Sequence, residues 1–175
     1  MIDTHCHLTF PDFEGRVQEI MAEALDAGVR GAITVSTTTT ACLDNLAIAR
    51  DRSDVWCTAG VHPLYADRDP FLWEHLETVA RHERCVAFGE LGLDNHYDHP
   101  PRDVQRQVLE TQLGVIQSLG LDLPVVLHCR NAFEDLIPVL RSTSIPPERF
   151  VFHCFTGGPD DMRAVLDFGA WASFT

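Results

Sequence analysis

Apolar residues along the chain fall into two alternating spacings, short buried runs and helical stripes. After the mixed opening Met1–Thr4, a helical face begins near Glu14, with Val17, Ile20, Met21, Ala24 and Leu25 on one side and Gly28 as its stop. Residues 31–36 then read as a buried strand, Leu43, Leu46 and Ala47 as a helix, and Val55–Ala59 as a third strand. Phe71, Leu72, Leu76, Val79 and Ala80 mark the next helix, followed by a fourth strand over Cys85–Phe88. A long helix carries Val104, Val108, Leu109, Leu113 and Ile116, and a fifth strand covers 123–127. Phe133, Leu136, Ile137 and Leu140 form another stripe before a sixth strand over Phe150–Phe152. Gly158-Pro159-Asp160-Asp161 has the features of a helix start, with proline in the first turn and acids at the positive end of the dipole. The face Met162, Val165, Leu166 follows, and then a seventh strand over 170–174.

Strands alternating with helices predict an α/β fold with a parallel sheet and right-handed crossovers. An open doubly wound sheet and a closed barrel both satisfy that pattern. The reactive residues favour the barrel. His5 and His7 close strand one, Glu90 follows strand four, His128 closes strand five and His153 closes strand six. In a barrel the C-terminal ends of all strands converge on one face, where the active site is built. In an open sheet, strands one and six can lie far apart. The expectation is one domain over 1–175, a TIM-type (β/α) barrel that is incomplete, with about seven strands present and the eighth missing.

His-x-His alone is a weak signal, but one such pair, one carboxylate and two single histidines at strand ends form a coherent ligand set. Imidazoles with one carboxylate suit Zn, Mn, Fe or Co, and Mg less well. Four histidines are too many for one catalytic zinc with an open position. Two divalent metal ions sharing Glu90 account for His5, His7, Glu90, His128 and His153 together, with Glu90 the catalytic carboxylate. His62, past strand three, and Arg130, two residues beyond His128, are candidates for contact with substrate, Arg130 through a phosphate or carboxylate. Strand parity turns Cys6 away from the side of His5 and His7, and Cys129 and Cys154 away from their neighbouring histidines. The same parity puts Asp3 on the inner side, as a partner of a ligand or an ordinary buried, hydrogen-bonded acid. His75, His82, His96 and His99 read as surface residues.

Composition narrows the partners. An apolar share of 45% and a charged share of 22% are ordinary for a folded domain and leave no case for disorder. No apolar run approaches the ~20 residues of a membrane span, and residues 1–5 do not resemble a signal peptide. A cytoplasmic protein is the simplest expectation, in which six scattered cysteines serve as small buried hydrophobes. The formal charge of −13, from 13 basic and 26 acidic residues, repels a polyanion in bulk. Any action on nucleic acid must therefore rest on a local positive site, for which bound cations are the obvious source.

At these residues the sequence resembles the TatD family of metal-dependent deoxyribonucleases and related hydrolases. The matching pieces run in order along the chain: Ile2-Asp-Thr-His-Cys-His-Leu8, Gly60-Val-His-Pro63, Gly89-Glu-Leu-Gly-Leu-Asp94, Pro124-Val-Val-Leu-His-Cys-Arg130 and His153-Cys-Phe-Thr-Gly-Gly158. The resemblance implies a TIM-type barrel of the wider amidohydrolase group. It assigns one metal to His5 and His7, a bridging role to Glu90, and a second metal to His128 and His153. It also implies cleavage of DNA phosphodiester bonds, often from an end. Asn131 stands where the family often has Asp. The family also places an Asp ligand after strand eight, which has no counterpart before Thr175. An incomplete barrel leads to the expectation of impaired activity and of self-association through unpaired strand edges. Hydrolysis of a small amide, lactone or phosphoester at the same site, and an inactive metal-binding fragment, are the alternatives.

Overall fold

A computed structural model describes residues 1–68 and 70–174. Seven strands form one sheet in the order β1-β2-β3-β4-β5-β6-β7, every neighbouring pair parallel. They are β1 (Asp3–Cys6), β2 (Ala32–Thr34), β3 (Val55–Ala59), β4 (Cys85–Asp94), β5 (Val125–Arg130), β6 (Phe150–Phe152) and β7 (Trp171–Ala172). A doubly wound sheet reverses its strand order at a switch point; this one runs in chain order without reversal. The sheet curls into a TIM-type barrel, incomplete among the described residues.

Six helices follow successive strands: α1 (Val17–Asp26), α2 (Thr39–Asp51), α3 (Trp73–Ala80), α4 (Arg102–Leu119), α5 (Phe133–Arg141) and α6 (Pro159–Phe168). Their ends have local causes. Thr38 caps α2 by accepting from the Ala41 amide at 3.0 Å. Gly120 ends α4 at φ +61° and Gly169 ends α6 at φ +93°, conformations that glycine reaches without a Cβ penalty. The main core joins Val55, Phe88, Val125, Leu127, Phe150 and Phe152 from the strands to Leu46, Leu76, Leu109, Leu136 and Val165 from the helices.

Several boundaries differ from those the apolar pattern predicts. Helix α1 begins at Val17 rather than Glu14, because Gly15 takes φ +70° and breaks the turn. Phe71 and Leu72 precede α3 instead of opening it. Leu25 and Leu166 are exposed rather than buried. The largest difference is in β4. It continues six residues past Phe88, so Glu90 lies inside the strand and not after it. β5 likewise carries His128 and Arg130 within the strand. Among the described residues, no helix is long and apolar enough to cross a membrane.

Candidate metal centre

The long strands β4 and β5 position the centre. Their register pairs Gly92 with His128 and Asp94 with Arg130. Glu90, Gly92 and Asp94 share a face by the alternation of a strand. Gly92, at φ +146°, lets the two strands close up, since a Cβ there would stand 1.9 Å from the His128 carbonyl oxygen. Thr58 of β3 donates to the Gly89 carbonyl, and the Glu90 amide donates to Ser36 O at 3.2 Å. The backbone carrying Glu90 is therefore held by two bonds from the β2–β3 side.

Glu90 is buried, and its two oxygens face different histidines. Oε2 lies 3.1 Å from His5 Nε2, and Oε1 lies 3.2 Å from His128 Nδ1 and 3.9 Å from His62 Nε2. Burial works against its charge, but hydrogen bonds from His128 and His5 outweigh it and hold the carboxyl well below the usual carboxylate range. The His5 and His153 rings stack with centroids 3.6 Å apart. His7, just past β1, donates its Nδ1–H to the Val35 carbonyl at 3.0 Å. That fixes the proton on Nδ1 and leaves Nε2 as the ligand-type nitrogen. Burial lowers the pKa of His7, and lowers those of His62 and His153 to about 4, so all three rings are neutral near pH 7.

His128 is different. Its Nε2 lies 2.8 Å from Asp94 Oδ2 while Nδ1 faces Glu90. Burial opposes a charge on the ring, yet the bonds to Glu90 and Asp94 outweigh it and raise the pKa. Asp94 is fully buried, and its other oxygen accepts from the amides of His96 and Tyr97.

The ligand-type atoms of His5, Glu90 and His153 lie within 4.8 Å of one another, as do those of His62, Glu90 and His128. These groupings differ from the family pairing in two respects. His153 sits with His5 rather than with His128, and His62 takes a place beside His128. His7 belongs to neither grouping but lines the same cavity of about 500 Å³, with His62, Glu90, His128, Arg130 and His153. Imidazoles around a buried carboxylate are a donor set suited to borderline divalent cations such as zinc or manganese.

Other residues fall where they were not expected. Asp3 is exposed and accepts from the His5 amide at 3.0 Å instead of from an imidazole. His96, expected at the surface, is exposed but lines the cavity, while His75 and His82 are half-buried. Parity does not govern Cys154, which lies past β6 with φ +46° and lines the cavity. Cys6 donates from Sγ to the Ile33 carbonyl at 3.4 Å, and Cys129 joins the apolar core while also lining the cavity. Burial pushes both thiols up to about 12. No disulfide forms among the described cysteines. Arg130 reaches Tyr97, with Nη1 3.4 Å from the phenol oxygen and the guanidinium 5.3 Å from the ring centre.

Asp94, Gln105 and Gln112 had no role in the sequence reading. Gln105 and Gln112 lie seven positions apart on α4 and are buried against backbone, at Asp94 and Val61 respectively. The available signal for Asp94 was its i+4 spacing from Glu90, which places both on one face only if β4 is long.

Comparison with known proteins places the chain in a family. The family model described as TatD related DNase matches residues 2–175. A protein of Edwardsiella piscicida named 3′-5′ ssDNA/RNA exonuclease TatD is 35% identical over 181 residues, covering 100% of this chain and 67% of its own length. The protein of Escherichia coli K12 named uncharacterized metal-dependent hydrolase YcfH is 34% identical over 180 residues, covering 100% of this chain and 66% of its own. The crystal structure of YJJV, a TatD homolog from Escherichia coli K12, superposes with a TM-score of 0.87 at 30% identity, over 98% of this chain and 66% of that one. The chain thus spans about two thirds of the length of these relatives.

Proposed function

The chain belongs to the family of TatD-related DNases, and from that premise we propose that it is a divalent-metal-dependent hydrolase cleaving phosphodiester bonds of DNA through a two-metal site. One observation carries this reading: a buried, ionised Glu90 turns one oxygen to His5 and the other to His128. Such a carboxylate can bridge two cations, with His5, His7 and His153 around one side and His128 on the other. Bound divalent cations supply Lewis acidity and lower the pKa of water, the chemistry that a phosphodiester displacement needs.

The remaining residues bind and orient. His62 lines the cavity, and its Nδ1 accepts from the Leu64 amide at 3.1 Å, so the neutral ring carries its proton on Nε2, 3.0 Å from His128 Nδ1. His62 is therefore a donor, suited to a phosphoryl or leaving oxygen, and not a ligand in this tautomer. Arg130 offers a planar fork to a phosphate. Its stacking on Tyr97 restricts its rotamers before substrate arrives. This local positive charge opposes the bulk repulsion that the net charge of −13 imposes on DNA. The nuclease names of relatives such as the Edwardsiella protein support nucleic acid as the substrate class.

The test is hydrolysis of end-labelled single-stranded DNA by the metal-stripped chain, reloaded with zinc, manganese or magnesium, beside a panel of amides, lactones and small phosphoesters. We expect metal-dependent cleavage of DNA that Glu90→Gln abolishes. Cleavage of the small esters with none of DNA would replace the nuclease reading by the small-molecule one.

A further inference from the structure

Resting on the metal reading above, we propose that Asp94, clamped by Gln105 of α4, is a positioning residue that fixes the proton and orientation of the His128 ring. Asp94 lies two residues past Gly92, the register partner of His128, so its side chain meets that ring from the neighbouring strand. Its Oδ2 accepts from His128 Nε2–H at 2.8 Å. With Nε2 committed, Nδ1 is the nitrogen that keeps a lone pair for a metal; it lies 3.2 Å from Glu90 Oε1 and, in the metal-free site, 3.0 Å from His62 Nε2, whose N–H it accepts. A carboxylate on the far nitrogen of a ligating histidine holds the tautomer and raises the basicity of the ligand.

Asp94 cannot turn away. Its Oδ1 is used by the amides of His96 at 2.9 Å and Tyr97 at 3.3 Å. Its own backbone is gripped at both ends by one side chain: the Asp94 amide donates to Gln105 Oε1 at 2.8 Å, and Gln105 Nε2 donates to the Asp94 carbonyl at 3.0 Å. Gln105 Nε2 also donates to the Pro100 carbonyl at 2.8 Å. A buried glutamine with every polar atom used is a rigid support, because breaking any of these bonds would leave an unpaired polar group out of water. Gln112 on the same helix grips Val61 in the same way, through Val61 N at 2.7 Å and Val61 O at 3.0 Å, next to His62. Helix α4 thereby supports both elements on the Oε1 side of Glu90.

The isosteric replacement Asp94→Asn exposes the role. Its carbonyl oxygen must stay with the His96 and Tyr97 amides, which turns the NH₂ towards His128 Nε2. A donor there requires a lone pair on Nε2 and moves the ring proton to Nδ1, the nitrogen a metal needs. Two readouts on the full chain test this: metal binding by titration calorimetry, and the protonation of His128 nitrogens by ¹⁵N NMR of the metal-free protein. We expect Asp94→Asn to weaken one metal by about 10–100-fold, to leave the other unchanged, and to strip the proton from His128 Nε2. Gln105→Leu, which does not touch His128, is expected to weaken the same metal by less, and it decides the question if Asp94→Asn does not fold. Wild-type metal affinities in both variants, with Nε2 still protonated, would overturn the positioning role while leaving the two-metal reading intact. A wild-type chain that binds no metal, but loses the Nε2 proton on Asp94→Asn, would overturn the function and support the positioning.

Discussion

Replacing Gly92 by alanine adds one methyl group at the closest approach of β4 and β5. The new Cβ would stand 1.9 Å from the His128 carbonyl oxygen, whereas carbon and oxygen across a sheet settle at about 3.3–3.6 Å. The strands must part by roughly 1.4 Å or more, out of a normal spacing of about 4.8 Å. The backbone at Gly92, with φ +146°, adds its own cost for any residue with a side chain. Strain and overpacking at one site sum to about 2–6 kcal/mol, a large share of the roughly 5–15 kcal/mol that holds a domain together. The displacement falls on His128 itself, and a misplacement of about 1 Å can lower activity by about 100-fold. Gly114→Ala is the control. It lies inside α4 with nothing within 4 Å of its added Cβ, and it should stabilise by about 0.5–1 kcal/mol through helix propensity. Urea denaturation and metal titration of the two variants are the assays. A Gly92→Ala chain as stable as wild type and with unchanged metal affinity would refute the close approach as the device that places His128.

Other expectations follow from the charges and rings of the site. In the metal-free chain, stability should fall as pH drops from about 6.5 towards 4, because burial keeps His62 and His153 neutral to about 4 while the unfolded chain protonates both. His128 has a raised pKa, so its contribution is fully present below the unfolded value and is lost only as pH rises through its folded one. Glu90 adds to the acid loss below the ordinary carboxylate range. Denaturant midpoints measured in chelator across that interval check the sign, and a rise on acidification contradicts it. Arg130→Ala should weaken binding of single-stranded DNA by about 1.5–3 kcal/mol and leave metal affinity alone; an unchanged Kd by fluorescence anisotropy would remove Arg130 from the substrate path. Nuclease activity should depend only shallowly on salt, since screening of the −13 net charge offsets counterion release. A slope typical of about six phosphate contacts would reveal a basic groove.

The alternation of strands and helices, and hence the barrel, was legible because apolar periodicity reports which faces are buried. Helix stops were legible at Gly28, which takes φ +89° past the end of α1. The ends of β4 and β5 were not, for a reason tied to function. Apolar runs stop where chemistry begins, at Glu90, Asp94, His128 and Arg130, yet the ladder continues through them because the neighbouring strand still supplies backbone partners. Ending β4 at Phe88 hid the shared face of Glu90 and Asp94. Gln105 and Gln112 carry polar side chains that apolar periodicity does not register. They are buried because each trades water for paired backbone bonds. The pairing of His153 with His5 was equally out of reach, since strand order places ligands on one face without saying which rings touch.

The bridging role of Glu90 is tested most directly by crystals of the full chain grown with zinc or manganese and measured at the metal absorption edge. Two anomalous peaks are expected on opposite sides of the Glu90 carboxylate, one beside His5 and the other beside His128 Nδ1. A single peak, or two peaks neither of which touches Glu90, would contradict the bridging role.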